Sequence, residues 1–213
     1  MNEPIVHPRG RIMIRFAASG AVLLVLAFLC GCGYLQSYVD MVREKGVSKE
    51  YLAILDASTR TKSLHSQFET RADLTVTFKS AEFRAAYVKD YARLYGLTEE
   101  QMKTRREVLD EMASDFDEFF FYAAMPEKDA NDFDKSGSVW KVYLYDDQGN
   151  RFEPMEVRRI GKVSPLVTAF YPYVNPYHGN CYTLKFKAGS VPKGAPFKLA
   201  FTGVLGKVEL SWP

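Results

Sequence analysis

In residues 72–78 the chain alternates, with Ala72, Leu74, Val76 and Phe78 apolar and Asp73, Thr75 and Thr77 polar. A period of two is that of a half-buried β-strand. Immediately afterwards the period lengthens. Phe83, Ala86, Tyr87, Tyr91 and Leu94 recur at helical spacing behind Ser80, an N-cap residue, and Gly96 stands where such a helix ends. Thr98 and Gln101 have the spacing of a capping box, and Met102, Leu109, Met112 and Phe116 mark the apolar face of a second helix. The two read as a helical hairpin over about residues 81–113, inserted between strands.

Beyond the hairpin the pattern turns to strands. "EFFFYAAM" is a continuous apolar run suited to a buried strand, and "SVWKVYLY" alternates, with Trp140, Val142 and Leu144 on one side. "DDQGN" supplies a turn and "RFEPMEVRRI" the returning strand; "CYTLKFKAG", "FKLAFTG" and "KVELSW" are three more runs separated by turn residues. Ahead of the first strand, Ser48 predicts the start of a helix through Tyr51, Leu52 and Leu55. Residues 59–69 fit no period cleanly and are compatible with one strand carrying Leu64 and Phe68. Roughly seven strands with closely spaced turns predict a β-dominant α+β fold, an immunoglobulin-like antiparallel β-sandwich with an inserted αα-hairpin. The Cys…Trp…Cys core of antibody domains is absent, so the expectation concerns architecture and not membership. Residues 48–213 are expected to form a single domain, with no internal repeat.

The leading end is different in kind. Arg9, Arg11 and Arg15 precede an uncharged apolar stretch, residues 16–29, which at 1.5 Å per residue reaches about 21 Å, short of the roughly 30 Å hydrocarbon core. A basic start, a short apolar centre and small residues afterwards describe a secretory signal. Leu29-Cys30-Gly31-Cys32 then resembles a bacterial lipobox, in which a peptidase cuts before the Cys that receives diacylglycerol. The resemblance implies a signal peptide over residues 1–31, lipidation of Cys32, and an anchor-proximal segment over residues 32–47. Cys30 departs from the commoner Ala or Ser at its position but is small enough to fit. Two or three acyl chains give a lasting anchor where one binds marginally. Two alternatives stay open: an uncleaved transmembrane anchor extending to Leu35, and a signal without lipid. Gly33 after the Cys, in place of Asp, tends to go with the outer membrane in such lipoproteins.

Charge changes meaning once that segment is set aside. The chain has 28 Lys plus Arg and 26 Asp plus Glu; removal of residues 1–31 leaves 25 of each, so the mature protein is neutral. The electrostatic footprint of a nucleic-acid binder is missing. Cys181 would be the remaining free cysteine, which rules out an internal disulfide and leaves packing to stabilise the fold. Its place at the start of a strand predicts a buried, inert thiol.

Chemistry-bearing patterns are few. His65 and His178 stand far apart in sequence, and no G-x-S-x-G, H-E-x-x-H, phosphate-loop or dinucleotide-glycine pattern occurs. Acid pairs such as Asp115/Asp117 and Asp146/Asp147 fall where carboxylates are ordinarily solvated. Residues 132–137, "DFDKSG", match the opening of a calcium loop, but its twelfth position is Tyr143 where a bidentate Glu belongs. A turn between strands uses the same residues, and that is the reading taken, with no metal and no other cofactor expected. The aromatic stretch of residues 169–182, "AFYPYVNPYHGNCY", is the candidate binding surface, through Tyr171, Tyr173, Tyr177 and His178. Pro172 and Pro176 block regular pairing there, and the rings either cover one end of the core or display a contact face. Tyr171 is expected to behave as core and Tyr177 as surface.

Taken together, the lipobox, the helical hairpin and the strand pattern resemble uncharacterised bacterial lipoproteins of the cell envelope. The resemblance implies a non-enzymatic, lipid-anchored module, more in the outer than the inner membrane, that acts by binding an envelope protein or as a structural element. The alternative is a glycan- or peptidoglycan-binding domain using the aromatic stretch.

Overall fold

The computed structural model describes residues 46–66 and 69–213. The segment expected to be a signal peptide, Cys30, Cys32, the expected anchor-proximal segment up to residue 45, and Phe68 lie outside the described residues. Among the described residues the first regular element is helix α1 (Lys49–Ser58), capped by Ser48, whose side chain accepts from the Tyr51 N–H at 3.1 Å. Strands β1 (Thr59–Ser66) and β2 (Glu69–Phe78) pair antiparallel. Residues 59–69, without a clear period in the sequence, thus hold β1 and the start of β2. β1 alternates poorly because it is an edge strand, shielded by a single neighbour in its sheet.

Helices α2 (Ala81–Tyr95) and α3 (Glu99–Asp115) follow, and both caps are as the sequence predicts. Ser80 accepts from the Phe83 N–H, Gly96 closes α2 in the left-handed conformation, and Thr98 with Gln101 forms a reciprocal capping box. β3 (Phe116–Ala124) then pairs with β2 on one side and with β7 (Gly179–Lys187) on the other. β6 (Glu156–Arg159) completes a five-stranded sheet in the order β1-β2-β3-β7-β6. A second sheet has the order β5-β4-β8-β9, built from β4 (Trp140–Tyr145), β5 (Arg151–Phe152), β8 (Phe197–Gly203) and β9 (Gly206–Trp212). All pairings are antiparallel, nine strands in two sheets among the described residues. "RFEPMEVRRI" is therefore not one returning strand. Phe152 pairs with Leu144 in the second sheet, whereas Val157 pairs with Leu184 in the first; the chain changes sheets across Pro154 and Met155.

The sheets pack through their facing sides. Leu74, Val76, Phe119, Phe121, Tyr182, Leu184 and Phe186 from the first sheet meet Trp140, Val142, Leu144, Leu199, Phe201 and Leu210 from the second. Edge β1 meets edge β9: Arg60 donates to the Ser211 carbonyl at 3.0 Å, and the Trp212 indole N–H to the Ser58 carbonyl at 3.0 Å. The other side of the first sheet carries a second core, where Phe120, Tyr122 and Cys181 lie under Tyr51 and Leu55 of α1, Phe83 of α2 and Phe170 of the short helix α4 (Pro165–Phe170). β3 is buried on both faces, which explains its unbroken "FFFY". The arrangement is three layers, helices on sheet on sheet, within the unit Val47–Pro213. Among the described residues no helix is long and apolar enough to cross a membrane.

Candidate functional site

The aromatic stretch is sorted by short-range geometry into an inner part and an outer part. Pro165 at the first turn and the Ser164 cap start α4, and the helix ends where the Tyr171 N–H bonds the Val167 carbonyl at 2.8 Å. This delivers Phe170 and Tyr171 to the face of the first sheet. Tyr171 stacks on Phe120 with ring centroids 4.0 Å apart and is 6% exposed. The Phe170 carbonyl accepts from the buried Tyr51 hydroxyl at 2.9 Å. Tyr173 is half-buried, and its hydroxyl lies 2.7 Å from Thr77 Oγ1, itself 2.6 Å from Thr59 Oγ1. Burial raises the pKa of Tyr51, Tyr171 and Tyr173 above the ordinary phenol value, so all three stay protonated and serve as packing with hydrogen bonds. Burial likewise pushes the Cys181 thiol up to about 12, which leaves no nucleophilic thiolate at neutral pH.

After Val174 the chain turns outward. The Asn175 side chain accepts from the Tyr177 N–H at 3.0 Å, its backbone carbonyl accepts from the His178 N–H at 3.2 Å, and the same carbonyl takes the Tyr122 hydroxyl at 3.0 Å. Asn175 thereby fixes the tip to the sheet while Tyr177 points away, 88% exposed, with His178 exposed beside it. Gly179 ends the loop because nothing larger fits. A Cβ there would lie 2.5 Å from the Ala123 carbonyl oxygen and 2.6 Å from the Tyr122 ring. So the four sequence candidates do not form one face. Tyr171 and Tyr173 belong to the helical-layer core; Tyr177 and His178 are left at the surface.

What the tip does join is a shallow groove of about 290 Å³ lined by Lys128, Asn131, Arg159, Tyr177, His178 and Asn180. Arg159, from β6, donates to Asn180 Oδ1 at 2.7 Å. The Asn180 amide in turn donates to the Asn131 carbonyl at 3.3 Å, and the same carbonyl lies 2.7 Å from the Tyr182 hydroxyl. Asn131 is buried and also donates to the Ala123 carbonyl at 2.8 Å, so the groove floor is tied into the sandwich. Arg159, Asn180 and Lys128 were not among the sequence candidates. They are single polar residues in separate segments, and the register of β6 on β7 brings two of them together.

The calcium-like stretch serves as a turn closure. Asp132 Oδ1 accepts from the Ser138 hydroxyl at 2.9 Å, that hydroxyl accepts from the Trp140 N–H at 3.0 Å, and the Lys135 N–H bonds the Asp132 carbonyl at 2.9 Å. Tyr143 sits in β4, paired with Ala200. Asp146 has a parallel role, accepting from the backbone of Gln148 and Asn150 and from the Asn150 side chain. His65 lies on edge strand β1 with Nδ1 3.2 Å from Thr70 Oγ1, separated from β7 and His178 by β2 and β3. Among the described residues no group of three or more His, Cys, Asp and Glu side chains is placed to hold a metal ion.

No protein-family model, no curated protein and no solved structure matches the chain. The class that the geometry defines is a two-sheet antiparallel β-sandwich with a helical layer on one sheet and an exposed tyrosine beside a polar groove.

Proposed function

We propose that this protein is a non-catalytic, lipid-anchored module of the bacterial cell envelope that binds an envelope protein through the Tyr177–His178 end of its sandwich. The observation that carries the reading is the 88% exposure of Tyr177 in a loop whose Phe170, Tyr171 and Tyr173 rings pack against the helical-layer core. A ring held outward by a rigid Asn175 turn loses little conformational entropy on binding, which is why tyrosine is favoured in contact surfaces. Anchoring rests on the lipobox-like Leu29-Cys30-Gly31-Cys32, and the outer membrane on Gly33. Substitution of Cys32 by Ser blocks incorporation of labelled palmitate under this reading, whereas Cys30→Ala is tolerated.

We further read the sandwich as immunoglobulin-like, with α2 and α3 as an insertion between its first two strands. Support comes from strand order: β2-β3-β7-β6 against β5-β4-β8-β9 follows the immunoglobulin order A-B-E-D against C′-C-F-G, with β1 added outside. Trp140 opens the strand in the C position and is buried in the core.

The polar lining of the groove favours a second reading, a glycan partner. An exposed ring beside the guanidinium of Arg159 and the amide of Asn180 offers stacking and directional hydrogen bonds to a sugar. Crosslinked envelopes separate the two. Recovery of one defined protein that Tyr177→Ala abolishes supports the first reading; release of the complex by a muramidase with no protein partner supports the second. Equal recovery by wild type and Tyr177→Ala sinks both.

A further inference from the structure

A second cavity lies away from the Tyr177 groove, between α3 and the outer face of the first sheet. It holds about 250 Å³, with Phe120 of β3 as floor, Phe83 and Tyr87 of α2 on one side, and Leu109 and Met112 of α3 on the other. The charged groups on its walls are Lys79, Arg84, Arg105 and Glu118. Glu118 is taken by Lys79 at 2.8 Å, and Arg84 is held by Asp110 at 3.3 Å and by the Lys79 carbonyl at 2.7 Å. Arg105 is held differently. Its guanidinium sits 3.7 Å over the Tyr91 ring and interacts with the Tyr87 hydroxyl, its Nε is buried without a hydrogen-bond partner, and no carboxylate among the described residues pairs with it. A cation beside apolar walls with no carboxylate to pair with costs free energy until an anion meets its guanidinium.

We propose that this cavity binds a short acyl carboxylate, the carboxylate on Arg105 and the chain against the apolar walls. Lys79 and Arg84 are each paired with a carboxylate, Glu118 and Asp110, which leaves the charge of Arg105 to bias the site toward an anion. At the roughly 30 Å³ that a water-sized group occupies, the space takes on the order of eight to ten non-hydrogen atoms, the size of an eight-carbon acid and not of a long-chain lipid. α3 forms one wall and buries none of its residues, so that wall can yield to admit a chain. The site is independent of the Tyr177 end and of any partner bound there.

The test titrates the full-length protein with carboxyl-labelled octanoate, followed by carbon-13 resonance, beside octanol and octylamine of the same chain length. Octanoate is expected to saturate at a single site at least tenfold more tightly than either. Arg105→Gln lowers octanoate affinity roughly 10- to 100-fold and leaves octanol unchanged, the worth of a charge-assisted hydrogen bond. Leu109→Trp, which fills the cavity and leaves Arg105 in place, removes both ligands. Bound carboxyl also titrates at lower pH than free octanoate in wild type and not in Arg105→Gln. Equal affinity of wild type for octanoate and octanol overturns the proposal, as does octanoate binding that survives Leu109→Trp.

Discussion

At the scale of single residues, the aromatic loop makes opposite demands on neighbouring tyrosines. Tyr171 is stacked on Phe120 and nearly closed to solvent, so Tyr171→Ala removes a buried ring and should cost about 3–5 kcal/mol in a urea melt. Tyr177→Ala should stay within about 0.5 kcal/mol of wild type. A large loss for Tyr177→Ala with a neutral Tyr171→Ala would reverse the assignment. Asp90 offers a pH signature. Burial pushes its carboxyl up, but the Arg93 guanidinium at 2.8 Å and the Ser48 N–H at 3.0 Å push further down, and the net pKa is below the usual carboxylate value. A folded-state pKa that is lowered contributes stability above the carboxyl's unfolded pKa, and the contribution disappears as pH falls through the folded one. Asp90→Asn should therefore be less stable than wild type at neutral pH, and the gap should narrow on acidification into the carboxylate range. A gap that is the same at every pH would show that Asp90 acts by shape and not by charge.

Elements differ in how tightly they are held. β3 is paired on both edges and buried on both faces, whereas α3 contributes no buried residue, and its Met112 is 53% exposed. Covering the first sheet falls to α1, α2 and α4, which leaves the apolar face of α3 only partly used. In hydrogen exchange, α3 amides should therefore exchange well before those of β3 and of the central turns of α2; matched protection across all three would contradict this layering. The same contrast explains what is legible in the sequence. Helix ends are readable because Ser80, Gly96 and Thr98 act on their own neighbours, and β2 and β4 are readable from alternation. The helix α4 within the aromatic region is not legible in the sequence, since six residues carry too little of a period. Nor is the split of residues 151–160 between sheets, because Phe152 and Val157 differ only in which distant strand they meet. The groove beside Tyr177 is hidden for a related reason: the 2.7 Å contact of Arg159 with Asn180 is created by the pairing of β6 with β7 and leaves no local mark.

For the whole molecule, the facing sheets supply a dry core and the helical layer a second one, so that one end of the sandwich is free to present the Tyr177 tip and its groove. Asn131 and Tyr182 tie that end to the core, and a partner would meet a surface already shaped for it. Other large apolar side chains also stand exposed, Met155 and Val204 among them, and these two serve as internal controls for nonspecific contact. The most direct measurement places a photoreactive side chain at position 177, and separately at 155 and 204, in the full-length protein within intact cells. Irradiation should give one discrete adduct from position 177, competed by excess wild-type protein and not by the Tyr177→Ala variant, and none from 155 or 204. Adducts of equal yield from all three positions, or a position-177 adduct that the Tyr177→Ala variant competes as well as wild type, would contradict the assignment of that end as the contact surface.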